Sequence, residues 1–212
     1  MRALLNVLVE RRDFFARLTL EHLLMSAIAI VIAAVIGLGL GILIAEFRKA
    51  SPLVLGITSV VYTIPSISMF GFLISVTGIG NKTAIIAMTI YALLPMVRNT
   101  YAGIGGVSPE IIEAATGMGS TRLQILLKIK IPMAIAYILT GLRSMVVMTI
   151  SVGGIASFIG AGGLGVAIYR GIATNKTELT VAGSLLIAVL ALLADFIFSR
   201  LEKYMKGKWK VT

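Results

Sequence analysis

The sequence predicts an all-α membrane protein, a polytopic bundle of about five transmembrane helices, from its composition and its long uncharged runs. Of the 212 residues, 58% are hydrophobic and only 13% are charged. The mean hydropathy of the chain is +1.01, and its apolar blocks are too long and too numerous to be the core of one soluble domain. The main uncharged blocks are residues 23–45, 50–81, 83–97, 144–169 and 179–194.

Each block is taken as a span, because a hydrocarbon core of roughly 30 Å needs about 20 apolar residues per helix. A β-barrel is excluded, since barrel strands are short and alternate polar with apolar residues. The second block is too long for one helix and contains Pro65, which removes a backbone hydrogen bond and bends a spanning helix. We favour a packing kink at Pro65 over a bend that lines a pathway. Gly37 and Gly41 predict the close approach of another helix.

The positions of the basic residues predict the orientation, because Lys and Arg concentrate in cytoplasmic flanks. Of the nineteen, eleven fall on one side: Arg48, Lys49, Arg98, Arg122, Lys128, Lys130, Arg200, Lys203, Lys206, Lys208 and Lys210. That side is expected to be cytoplasmic, which puts the N-terminus outside and the C-terminus inside.

The domain prediction is an N-terminal tail at 1–22, a transmembrane domain at 23–200 with a polar insert at 108–132, and a basic cytoplasmic tail at 201–212. The four arginines of the N-terminal tail favour the inside, so an additional helix lying on the membrane there stays an alternative.

Charge and cysteine content exclude several other classes of protein. The net charge of +10 would suggest nucleic acid in a soluble protein, but in a membrane protein it indicates cytoplasmic loops and contact with anionic lipid. No nucleic-acid partner is therefore predicted. The absence of cysteine excludes disulfides and Cys-based metal or redox sites. No His or carboxylate cluster suggests catalysis, so the chain is not predicted to be an enzyme.

The insert at residues 108–132 is expected to form two short helices at the membrane surface. Ser108 can cap the first, which starts at Pro109, and Gly119 ends it in a turn. Ser120 can cap the second, which Pro132 closes.

One face of the first helix carries Glu110 and Glu113, and alanines at 114 and 115 leave room for a partner surface. From these residues alone, a docking hairpin and an ordinary amphipathic loop are equally supported.

The spacing of the insert resembles the E-A-A-x3-G-x9-I-x-L-P signature of ABC importer permeases, with Ile131 in place of leucine. In that family the insert couples the membrane domain to a separate ATP-hydrolysing subunit. The resemblance therefore implies a type I ABC importer-like fold and a cytoplasmic pair of coupling helices. The residues to which it assigns ATPase coupling are Glu113, Ala114, Ala115, Gly119, Ile129 and Pro132.

Residues 21–45, 62–66 and 155–172 are similar to permeases of the glycine betaine, carnitine and choline uptake group. The resemblance implies a bacterial cytoplasmic membrane protein that imports a quaternary-ammonium osmoprotectant. Implied partners are cytoplasmic ATPase subunits, which bind ATP and Mg²⁺, a second permease chain and an external binding protein. No cofactor is expected in this chain. Permeases for methionine and other small solutes share much of the pattern and stay an alternative.

A glycine-rich stretch at 160–165 matches G-x-G-x-x-G but lacks the βαβ context that dinucleotide binding needs. Gly160, Gly162 and Gly163 are instead predicted to form an external re-entrant or gate turn, and with Pro65 they are the gate or pathway candidates. No G-x4-G-K-[ST] occurs in the chain, so energy must come from a partner.

Arg143 and Asp195 are the charges deepest in the predicted spans. We favour separate side chains that reach towards the interface over a functional ion pair. A free-standing secondary transporter would need such ionisable groups at mid-membrane, and it stays the alternative from a different class.

Overall fold

The computed structural model describes residues 2–209, which fold into ten α-helices joined by short 3₁₀ and π segments, with no strand in that range. The α-helices are Arg2–Glu10 (α1), Arg12–Glu46 (α2), Ser51–Thr63 (α3), Ser66–Thr77 (α4), Asn81–Gly105 (α5), Pro109–Gly117 (α6), Arg122–Ile125 (α7), Ile131–Gly153 (α8), Gly165–Ala173 (α9) and Thr177–Trp209 (α10). The predicted all-α class is confirmed.

Within residues 2–209, three helices are both long and apolar enough to cross a membrane: Arg12–Glu46, Arg122–Gly153 and Thr177–Met205. The pair α3 and α4, bent by 100°, is a fourth candidate. The expected fifth span corresponds to α5, whose 25 residues reach about 38 Å. It is not among these candidates by composition, since it carries Lys82 and Arg98, and many of its residues are buried against other parts of the bundle.

Helix α5 lies at the centre of the bundle, between α2 and α8. Small residues bring these helices together. A Cβ on Gly41 of α2 would meet the Cβ of Thr100 at 2.5 Å, and one on Gly103 of α5 would meet the Cβ of Tyr137 at 2.7 Å. The close approach predicted from Gly37 and Gly41 is therefore confirmed, and α5 is the partner helix.

Gly41→Ile is expected to destabilise the protein, because the new side chain would force α2 away from α5. Overpacking of this kind costs about 1–3 kcal/mol. Gly39→Ile is the matched control, since nothing lies within 4 Å of a Cβ at Gly39. Thermal unfolding of the detergent-solubilised protein measures the difference. Equal unfolding temperatures for the two variants would contradict this packing.

The predicted domain boundaries do not fall at helix ends. Helix α2 begins at Arg12, and Phe15, Leu18 and His22 are buried in its first turns, so residues 12–22 belong to the bundle. The charges that suggested a tail lie on exposed parts of the same helix.

A separate short helix, α1, does precede α2. At the other end α10 continues to Trp209 with Glu202 buried, so the predicted boundary at residue 201 falls inside a helix, and Lys210 lies outside the described residues.

Pro65 stands between two helices rather than inside one, so its interpretation as a kink within a single helix is wrong. Helix α3 ends at Thr63, and Ile64 is extended, with ψ of 126°. The reason is steric, because the ring of a proline disfavours helical backbone at the preceding residue. The freed carbonyl of Ile64 accepts a hydrogen bond from the Tyr91 hydroxyl of α5, which fixes the break against the central helix.

Candidate functional site

The insert projects from one end of the bundle as a tight hairpin. Helix α6 ends through three backbone bonds, one of which joins the N–H of Ser120 to the carbonyl of Ala115 at 3.0 Å. Gly119 has φ of +84°, a conformation that residues with a Cβ rarely adopt. The predicted glycine turn at Gly119 is therefore present in the structure.

The second half of the insert differs from the prediction. Thr121, not Ser120, is the N-cap, and it forms a reciprocal capping box with Gln124. Pro132 does not end the helix, because residues 122–153 run as one helix of 32 residues. A π turn before Pro132 lets the N–H of Ile131 bond Leu126, five residues earlier, which accommodates the proline ring.

The signature residues divide into exposed and inward-facing positions. Glu113 and Ala114 are exposed, and Gly119 is exposed at the turn. Ala115 is only 2% exposed, so the expectation that it faces a partner is wrong. Its carbonyl accepts the bond from the N–H of Ser120 that closes the turn. Ile129 and Pro132 are half-buried where the insert enters α8.

The Glu46 carboxylate holds the insert to the bundle, a role that sequence reasoning missed. The Nζ of Lys130 lies 2.5 Å from the Oε1 of Glu46, at the end of α2. Both residues line a cavity of about 410 Å³ beneath α6. The sequence did contain a signal for this contact. Glu46 is a single acid at the end of the first predicted span, and Lys130 is a base within the permease signature. The hairpin is therefore tied to α2 as well as to α8.

The outer surface of the insert is unusually apolar for an exposed turn. Met118 is 80% exposed, and Leu123 and Leu127 are also well exposed. Together with Glu113 and Ala114 they form what we call the insert face. Exposed apolar side chains beside a charge are typical of a protein-binding surface, and Met is enriched at such interfaces.

The glycine loop, residues 160–163, lies at the opposite end of the bundle. Gly160 and Gly163 have positive φ values of 74° and 86°. The N–H of Gly162 donates to Asn81 Oδ1 of α5 at 2.8 Å, and that of Gly163 donates to Glu21 Oε2 of α2 at 3.2 Å. The three gate candidates of this stretch thus lie together, while Pro65 lies apart from them, in the α3–α4 break.

His22 is a second residue whose structural role sequence reasoning missed. Its side chain is fully buried, and its Nε2 donates to the carbonyl of Ile150 at 3.0 Å. A Cβ on Gly153 would come within 3.0 Å of the His22 ring, and one on Gly163 within 3.1 Å. His22 therefore joins α2, α8 and the glycine loop.

Arg143 and Asp195 form an ion pair between α8 and α10. The Nε of Arg143 lies 2.6 Å from Oδ1 of Asp195, and a terminal nitrogen lies 2.8 Å from Oδ2. Another terminal nitrogen lies 3.5 Å from Glu202, whose second oxygen accepts a bond from Thr140. The favoured interpretation of two separate interfacial charges is wrong, because each satisfies the other within the bundle.

The bundle, the exposed hairpin at one end and the tied glycine loop at the other define a helical membrane transport component. The chain belongs to the family of binding-protein-dependent transport system inner membrane components, whose family model matches residues 37–207. The predicted resemblance to ABC importer permeases is confirmed.

Two curated relatives illustrate the match. The choline transport system permease protein OpuBD of Bacillus subtilis is 43% identical over 86% of this chain and 81% of that protein. The osmoprotectant import permease protein OsmW of Salmonella typhimurium is 38% identical over 96% of this chain and 97% of that protein.

Among solved structures, a chain of the MetNI methionine ABC transporter in an inward-facing conformation matches with a TM-score of 0.81. It is 23% identical and covers 92% of this chain and 98% of that chain. At this identity the similarity shows the fold alone, which is that of an ABC importer permease.

Proposed function

We propose that this chain is the membrane permease subunit of an ATP-driven importer for a quaternary-ammonium osmoprotectant such as choline, glycine betaine or carnitine. The observation that carries the proposal is the insert face: an exposed acid and exposed apolar side chains on a hairpin whose sequence matches the permease signature. Both relatives support the substrate class, because one is a permease of a choline transport system and the other an osmoprotectant import permease.

The proposed assembly contains two permease chains, two cytoplasmic ATPase subunits that bind ATP and Mg²⁺, and an external binding protein. The insert end of the bundle faces the cytoplasm, where each insert lies in a cleft of an ATPase subunit. The glycine-loop end faces outside, where the binding protein delivers the solute. The basic residues around the insert support this orientation.

Movement of the ATPase would reach the bundle through the two attachments of the insert. One is covalent, because α7 continues through the π turn into α8 without a break. The other is the Lys130–Glu46 contact, which links the same hairpin to α2. Since both helices pack on α5, a tilt of the hairpin would move α2 and α8 around the central helix and switch access from one end to the other.

Reconstitution in proteoliposomes tests this function. The chain together with its ATPase and binding protein is expected to accumulate radiolabelled choline or glycine betaine only when ATP is supplied on the insert side. The chain alone, given a sodium or proton gradient, is expected to accumulate none. Gradient-driven uptake by the chain without its partners would instead establish a secondary transporter. If the assembly imports methionine with ATP but neither choline nor glycine betaine, the substrate class is overturned.

A further inference from the structure

A cavity of about 390 Å³ opens in the middle of the bundle, between α3, α5, α8 and α10. This volume lies in the range of small-ligand pockets, roughly 300–1,000 Å³. Its lining includes Tyr62, Thr140, Arg143, Ser144 and Asp195. An aromatic ring, two opposite charges and two hydroxyl groups thus share one opening in an otherwise apolar bundle.

The cavity lies near the middle of α5 and α8 rather than at their ends, since Pro95 and Arg143 both line it. Arg143 follows the start of α8 by twelve residues and precedes its end by ten. These separations correspond to about 18 Å and about 15 Å along the helix axis. A solute that crosses the bundle along these helices would therefore reach the cavity between the insert end and the glycine-loop end.

The Tyr62 ring is held at the cavity by the break at Pro65. Tyr62 lies one residue before the end of α3 and is 41% exposed. The ring of Tyr91 meets it edge-on, with centroids 6.3 Å apart, while the Tyr91 hydroxyl bonds the carbonyl of Ile64 at the break. This support from α5 leaves Tyr62 fixed but accessible.

The Arg143–Asp195 pair presents both signs of charge to the same space. About a third of each side chain is exposed, so neither charge is sealed within the bundle. A guanidinium has five N–H groups, and the contacts to Asp195 and Glu202 use three of them. Arg143 can therefore still donate to a carboxylate that enters the cavity.

These groups match the chemistry of a quaternary ammonium ion, whose nitrogen carries four carbon substituents. Such an ion has no N–H to donate, so it is held by aromatic faces and by negative charge rather than by hydrogen bonds. Tyr62 supplies the ring and Asp195 the negative charge. A substrate that also carries a carboxylate, as betaines do, finds the guanidinium of Arg143 on the other side of the pair.

We propose that this cavity is a transient binding site for the quaternary-ammonium solute inside the membrane domain, with Tyr62 as the residue that selects the trimethylammonium group. This inference rests on the proposed function, because it assigns the solute of that importer to a site in this chain. It gives the permease its own selectivity in addition to that of the binding protein.

Thiol labelling in the complete assembly tests the site, because the chain has no native cysteine. Ser144→Cys places a single thiol in the cavity lining. The probes are 2-(trimethylammonium)ethyl methanethiosulfonate and its anionic 2-sulfonatoethyl counterpart, with labelling of this chain measured by mass spectrometry. The anionic thiolate reacts faster with a cation at any exposed position, so the ratio of the two rates is compared with that at an exposed control cysteine. We expect this ratio to be about tenfold higher at position 144, and choline to slow the cationic reaction.

Tyr62→Leu in the Ser144→Cys background is expected to abolish both the preference and the protection, whereas Tyr62→Phe keeps them. The matched control is Ser184→Cys, an exposed serine of α10 that does not line this cavity, where choline should give no protection. A ratio of the two rates equal to that at Ser184→Cys, absence of labelling, or protection unchanged in Tyr62→Leu would each overturn the site.

ATP-driven uptake by the wild-type assembly is measured in the same membranes. If uptake is absent, the proposed function fails. If uptake is present and choline does not protect Ser144→Cys, only the cavity assignment fails.

Discussion

Glu113→Lys is expected to reduce ATP-driven uptake at least tenfold while leaving the amount of chain in the membrane unchanged. Glu113 is exposed on α6 and makes no ion pair within residues 2–209, so its reversal costs the isolated chain little. In the assembly it would place a positive charge where the proposed ATPase cleft receives a negative one. Such like-charge contacts cost several kcal/mol at an interface, and each 1.4 kcal/mol is a factor of ten.

The control for Glu113→Lys is Glu178→Lys. Glu178 is also exposed and lies in the first turn of a helix, but α10 begins at the opposite end of the bundle. Uptake by this variant should stay near that of the wild type. Normal uptake by Glu113→Lys, in membranes where Glu178→Lys is also normal, would show that no partner contacts the insert at this residue.

Gly119→Val is expected to produce the second large loss of uptake, through backbone geometry rather than charge. Nothing lies within 4 Å of a Cβ at Gly119, so the added side chain has room, but its φ is +84°. A left-handed conformation costs a residue with a Cβ about 1–2 kcal/mol. Relief of that strain would change the angle between α6 and α7, and the hairpin would no longer fit the ATPase cleft.

Gly117→Val isolates this conformational effect. Gly117 also has open space around a Cβ, but it ends α6 with ordinary negative φ. Uptake and ATP hydrolysis by reconstituted assemblies give the comparison. We expect Gly117→Val to retain most of both activities and Gly119→Val to lose uptake. Equal uptake by the two variants would contradict a role for the turn angle.

The fold was predictable because most of its information is local in the sequence. Long uncharged runs identify α2 and α10, and the glycines of α2 identify its close contact. The run at 144–169 was wrong as a single span, because it covers only the second half of α8 and continues through the glycine loop into α9. The bend at Pro65 was recognised, but its size was not, because a proline in sequence does not reveal that Tyr91 of a distant helix satisfies the freed carbonyl of Ile64. The continuity of the helix through Pro132 was missed because a π turn leaves no clear sequence pattern.

The site was predictable in its exposed residues and less so in its supporting contacts. The spacing of Glu113 and Gly119 identified the hairpin, whereas the burial of Ala115 depends on how α6 packs on its own continuation. Ion pairs between residues far apart in the sequence could not be predicted from the sequence. Lys130 meets Glu46 across 84 residues, and Arg143 meets Asp195 across 52. Hydropathy alone treats each of these charges as isolated.

The most direct test of the account is a cross-link from the tip of the insert, since the central claim is that an ATPase subunit contacts that tip. A single cysteine replaces Met118, which is 80% exposed on the insert face, and carries a short photoactivatable cross-linker. Ile79→Cys, which is 76% exposed and adjoins the glycine loop, is the control. We predict a cross-link to the ATPase subunit from position 118 and none from position 79. Position 118 labelled only by lipid or water, in an assembly that hydrolyses ATP and imports solute, would contradict the account.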